Sequence, residues 1–240
     1  MNLLTYFLHL IFSSGTAYLS ARNICSSRTR RQVLAEYQKG ESGSVAYLKA
    51  LSQRAAQENN PWLSEKLARH AVDEERHGKV FAQALKQVID YEEKEHINHV
   101  NSSNLALTPA GTFYTAYLNG YPPQQLKPET IDWTVFIGSL YILELDASKE
   151  FVRMANILPV NDPLNMKLRT LIMSVAQDET RHAAYLYEAL QQRMSEARVQ
   201  QVIDEWRIRQ INAAFTTAIN VLFATQSPAP LEDNILYSWV

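Results

Sequence analysis

The run Val72-Asp73-Glu74-Glu75-Arg76-His77 is answered 105 residues later by Gln177-Asp178-Glu179-Thr180-Arg181-His182. In each copy a Glu and a His stand three apart, so on a helix both side chains leave one face. Around the first copy that face reads Leu67, His70, Glu74, His77, Phe81, Leu85, and around the second Ile172, Val175, Glu179, His182, Leu186. Both stripes are largely apolar and belong in a core. A lone buried Glu costs roughly several kcal/mol unless it is paired, protonated or bound to a cation. Two such interruptions in matching helices call for one common explanation.

The rest of the chain fits helices. It has 240 residues, 46% of them hydrophobic, and only 7 Gly, enough for one sizeable core and a composition that favours helix. We expect long helices over about 29–58, 64–95, 131–157, 164–195 and 199–225, with Ser64 as N-cap of the second. Residues 96–128, with Pro109, Gly111 and Gly120-Tyr121-Pro122-Pro123, read as a looser connection. A pair of helices, a long connection and a second pair is the order of a four-helix bundle with one long crossover. The chain is thus expected to be all-α and a single domain over 1–240. Its parts are an apolar N-terminal segment (1–28), the bundle (29–195), and a C-terminal helix and tail (196–240).

Met1 to Phe12 is strongly apolar but too short for a membrane span of about 20 residues. No Lys or Arg precedes it, as one would in a secretory signal. It reads as an extra helix on the bundle, with membrane contact through residues 1–25 left open. Cys25 is the one cysteine, which excludes a disulfide framework and a four-thiolate metal site. With 23 basic and 25 acidic residues there is no basic stripe for nucleic acid. A reducing, cytoplasmic setting is the expectation.

A metal pair explains the interrupted stripes. Two Glu-x-x-His units, plus one Glu from each of two further helices, form the ligand set of a dinuclear carboxylate site in a bundle. The first helix offers Glu41, 33 residues before Glu74, in the stripe Leu34, Tyr37, Glu41, Val45, Leu48. The third offers Glu144, 35 residues before Glu179, or Asp146, 33 before it; the apolar neighbours Phe151 and Met154 favour Glu144. Four carboxylates and two neutral imidazoles match two divalent cations. Mixed oxygen and nitrogen donors suit iron, or manganese or a mixed pair, better than copper, and leave zinc open.

A metal-bound His usually donates its other N–H to a carboxylate or carbonyl. Asp73 and Asp178 are the candidates, each reaching across to the opposite helix, with Arg76 and Arg181 neutralising them.

Asp-Glu-x-Arg-His twice, each with an upstream Glu, resembles the ferritin-like di-iron carboxylate superfamily over about residues 36–190. The two segments look most like those of acyl-carrier-protein desaturases, and are similar to those of bacterial multicomponent monooxygenase hydroxylases. The chain is shorter than either. Unlike rubrerythrin it has no Cys pair, and Ala147 stands three residues after Glu144. The resemblance implies a di-iron oxygenase or oxidase. Dioxygen would be activated to hydroxylate, desaturate or N-oxygenate a small, apolar substrate. Glu74 and Glu179 would bridge the ions, and Glu41 and Glu144 would be terminal. No flavin or iron–sulfur motif is evident, so an external ferredoxin or reductase is implied. A homodimer is compatible with this reading. The alternative is a ferroxidase, iron-handling or peroxide-detoxifying protein. Monooxygenase relatives carry a Thr where Ser148 stands, which makes Ser148 a candidate catalytic group beside the oxygen site, or a Ser bonded back to the Glu144 carbonyl. His70 reads as a satisfied core histidine sooner than an outer group of the site. Tyr37 and Tyr141 read as core, and His96 and His99 as a solvated helix end.

Overall fold

The computed structural model describes residues 18, 20–94 and 109–222. The described residues are helical throughout apart from short connections. After a helical stretch at 20–25, the helices are α1 (Arg30–Gln57), α2 (Pro61–Lys94), α3 (Pro109–Tyr117), α4 (Trp133–Ile157), α5 (Pro163–Gln191) and α6 (Glu196–Leu222). A single 3-10 turn, Pro123–Leu126, lies between α3 and α4. The apolar segment 1–12, His96, His99 and the tail from 223 lie outside the described residues.

Local chemistry sets the helix starts. The cap of α2 is Asn60, not Ser64: its side-chain oxygen accepts from Leu63 N at 3.0 Å, with Pro61 just behind it, where a missing N–H is harmless. The hydroxyl of Ser64 instead faces that of Ser52 on α1, 3.3 Å away. Asn59 takes the left-handed conformation (φ 59°) that turns the chain between α1 and α2. Asp132 accepts from Thr134 N and Val135 N at the start of α4, and Asp162 from Leu164 N at the start of α5.

Of the stretch 96–128, read from the sequence as a looser connection, residues 109–117 form the helix α3. Nine residues make a marginal helix alone. Here α3 packs on α6: Tyr117 is buried edge-on against Trp206 at 5.1 Å, and Phe113 stacks on Tyr117 at 5.6 Å. Arg209 of α6 donates to the Asn119 carbonyl at 2.9 Å, satisfying a group at the end of α3.

α1 pairs with α2, and α4 with α5, through connections of three and five residues; α2 and α5 then pack together. Gly138 admits α6 onto α4, since a Cβ there would lie 2.6 Å from Val202 and 2.7 Å from Trp206. Two apolar regions result. One holds Leu51, Leu67, Ile137, Leu186 and Trp206; the other holds Leu34, Phe81, Phe151, Leu168 and Val175. Buried carboxylates and imidazoles lie between them in sequence on every long helix of the two pairs. No described helix is long and apolar enough to cross a membrane.

Candidate metal centre

Two groups of side chains could each hold a metal ion. One is Glu41, Glu74, His77 and Glu179; the other is His70, Glu74, Glu144 and His182. Within each, one ligand atom per residue lies within 4.8 Å of all the others, and every member is buried. Glu74 belongs to both. The six residues proposed from the sequence as ligands are therefore brought together.

Glu179 spans the two groups, with Oε1 3.1 Å from His77 Nδ1 and Oε2 3.2 Å from His182 Nδ1. Behind the rings, His77 Nε2 lies 3.2 Å from Asp178 and His182 Nε2 lies 3.2 Å from Asp73. Each aspartate thus reaches the histidine of the opposite helix, as expected. An Nε2–H donated to a carboxylate leaves Nδ1 as the basic nitrogen aimed at the cluster. Arg76 pairs with Asp178, and Arg181 with both Asp73 and Asp178, at the surface edge of this layer.

On α4 the structure selects Glu144 over Asp146. Two residues on a helix are about 200° apart, so both cannot face one cluster. Glu144 is buried in it, whereas Asp146 is near Lys149, Nζ to Oδ1 3.5 Å. A strict repeat would have chosen Asp146. The hairpins explain the shift. From Glu41 to the end of α1 is 16 residues, and from the start of α2 to Glu74 is 13; in the second hairpin these arms are 13 and 16. The arms match in total, and the second connection is two residues longer.

His70 is hydrogen-bonded at both ring nitrogens, as a satisfied core histidine would be, and it also stands in the second group. Its Nε2 lies 3.1 Å from Glu74 and 3.4 Å from Glu144, and its Nδ1 lies 2.8 Å from the Tyr185 hydroxyl. Its place one turn before Glu74 was the available signal. The duplicate has Val175 at that place, so the repeat offers no second histidine there. Ser148, in contrast, donates to the Leu145 carbonyl at 2.8 Å, one residue from the backbone partner envisaged.

The electrostatics are those of a cation site. Burial and the charge of Glu74 push the Glu41 carboxyl well above its ordinary value. Burial would also raise Glu74, but hydrogen bonds from His70 and His77 prevail and hold it at about 2. Burial disfavours charged His77 and His182. Contacts with Glu179, Glu41 and Glu74 for the former, and Asp73, Glu144 and Glu179 for the latter, prevail and raise both. The clustered carboxylates thus draw positive charge to this place. Glu179 Oε1 is sealed from solvent, makes no hydrogen bond of good geometry and faces His77 Nδ1 at 3.1 Å, a place that a cation would fill. The donor set fits two divalent ions.

A cavity of about 280 Å³ reaches Glu41, His70, Glu74, Glu144 and Glu179. It opens between α1 and α4, whose backbones do not pack together among the described residues. Its walls are mostly apolar, with Tyr37, Phe113, Phe136, Leu140, Leu143 and Phe151 among them. Tyr37 bridges α1 to α4 by donating to Glu150 at 2.7 Å.

No family model, curated protein or solved structure matches the chain.

Proposed function

We propose that this chain is a ferritin-like, non-haem di-iron oxidoreductase that uses dioxygen to oxidise a small, apolar organic substrate. Hydroxylation, desaturation and N-oxygenation are all within the reach of such a site. The observation that carries the reading is the pair of buried Glu/His groups sharing Glu74, beside a largely apolar cavity. Storage of iron needs the ligands but not that cavity, so the cavity favours oxidation of an organic molecule over ferroxidase or peroxide-detoxifying work.

Two iron ions, or a manganese-containing pair, supply the redox equivalents for oxygen chemistry when bound. Glu41 and His77 would hold one ion, and Glu144, His182 and His70 the other. Glu74 and Glu179 would lie between them, since Glu179 turns one oxygen to each histidine. Asp178 and Asp73 fix the histidine tautomers. The apolar walls exclude water and hold the substrate against the carboxylates. With Cys25 alone, electrons would come from an external ferredoxin or reductase.

The test is to load the protein with ferrous ion under anaerobic conditions, admit oxygen, and follow absorbance and oxygen uptake with a reductant. Rapid uptake with a new absorption band, from a monomer or dimer, is the expected result. A fully loaded protein inert to oxygen would overturn the reading. Continued oxidation of added ferrous ion by a cage-sized assembly would favour iron handling.

A further inference from the structure

Three tyrosines line the cavity, and two have committed hydroxyls. Tyr37 donates to Glu150 at 2.7 Å and Tyr47 to the Leu126 carbonyl at 2.6 Å. The third, Tyr114 of α3, has no hydrogen-bond partner among the described residues, and its oxygen is not among the sealed, unpartnered atoms. Tyr114 thus offers a phenolic donor with no protein partner among the described residues, on a wall that is mostly apolar by area and also carries Asp146, Lys149, Arg153 and Gln210. A guest that displaces water from this hydroxyl must supply an acceptor of its own or leave the donor unpartnered, which is unfavourable.

The location of this donor narrows what that partner is. Burial raises the Tyr114 phenol well above its ordinary value, and the carboxylates of Glu144, Glu41 and Glu150 add to the effect in that order. The hydroxyl therefore stays protonated, and Tyr114 lines the same cavity as Glu41 and Glu144. The same cavity is walled by the rings of Tyr37, Phe113, Phe136 and Phe151. Tyr37 and Phe151 meet edge to face at 5.1 Å, presenting ring surfaces that favour a flat aromatic guest. A volume of about 280 Å³ suits one or two rings.

We infer that the cavity binds a small aromatic molecule carrying a hydrogen-bond acceptor, which the Tyr114 hydroxyl engages. This rests on the cavity being the substrate site of the proposed oxidoreductase. Tyr114 is then the specificity-determining residue: it selects an acceptor-bearing ring over a plain hydrocarbon of the same shape, because only the former replaces the water it displaces from the phenol.

The experiment uses the full chain loaded with zinc, which is redox-inert, and two probes of like shape, acetophenone and isopropylbenzene. Affinities are measured by calorimetry, and the carbonyl-labelled acetophenone is followed by carbon-13 NMR. In the wild-type protein the carbonyl resonance should move downfield on binding, as for an accepted hydrogen bond. In Tyr114→Phe the ratio of acetophenone to isopropylbenzene affinity should fall about tenfold and the downfield shift should vanish. An unchanged ratio, a carbonyl shift that persists in Tyr114→Phe, or no binding of either ring to wild type would overturn the inference. Should Tyr114→Phe fail to fold, the wild-type carbonyl shift alone decides. Because zinc supports no oxygen chemistry, Tyr114-dependent binding together with an iron-loaded protein inert to oxygen would uphold the site and sink the oxidoreductase reading.

Discussion

The imidazole of His70 stacks on that of His182 with ring centroids 3.6 Å apart, so one metal group holds two histidines and the other holds one. The Tyr185 hydroxyl faces His70 Nδ1, leaving Nε2 for Glu74, Glu144 or an ion. His70→Ala should weaken the second metal on the order of tenfold or more, by analogy with losses of supporting groups, and leave the first bound. Metal titration resolves the two sites. Two ions held as tightly as in wild type would make His70 a packing residue.

Asp178→Ala should cost about 10–100-fold in metal affinity, because it removes the acceptor behind His77 and leaves Arg76 and Arg181 without that partner. Competition with a chelator measures it. The fold should survive, since Asp178 lies at the edge of the cluster.

These two cases mark what the sequence discloses. Glu74, His77, Glu179 and His182 were legible because a carboxylate and an imidazole on an apolar stripe have few physical explanations, and duplication removes most of them. The crossed aspartates followed from the need of a bound imidazole for an acceptor. Glu144 was harder: the ligand's register depends on connection length, which periodicity does not reveal. His70 has no counterpart in the repeat, and Tyr114 lies in a segment whose helix is formed by packing on Trp206 and its neighbours, so neither announces itself locally. The helix α3 was missed for the same reason.

Gly138→Ala should destabilise the protein by about 1–3 kcal/mol. The added methyl meets Trp206 and Val202, both packed in the core. Gly78→Ala should cost less, because its nearest neighbour is the Ser42 hydroxyl, which can rotate away. Urea denaturation of the two variants checks the order.

Metal binding should tighten as pH rises. The folded values of His70, His77 and His182 are raised, so near neutrality ions must displace protons from them. Each proton released makes apparent affinity climb about tenfold per pH unit. Stability of the metal-free chain runs as follows for Glu74. Its folded value, about 2, lies below the ordinary 4.5. Its contribution is therefore complete above about pH 4.5 and is lost as pH falls through about 2. The raised histidines act oppositely: their contribution is complete below about pH 6.5 and is lost as pH rises through their folded values. Denaturation of the metal-free chain across pH should show stability falling on acidification below about 4.5; no fall there would contradict the assignment.

A metal pair here would share Glu74, with Glu179 turned to both groups, and metal content per chain is the first test of it. Protein from iron-replete cells, and its Glu41→Ala and Glu74→Ala variants, would be analysed after removal of loosely bound ions. The account predicts two ions in wild type, one in Glu41→Ala, which belongs to a single group, and close to none in Glu74→Ala, which belongs to both. Wild-type protein without metal after reconstitution, or two ions retained in Glu74→Ala, would contradict it.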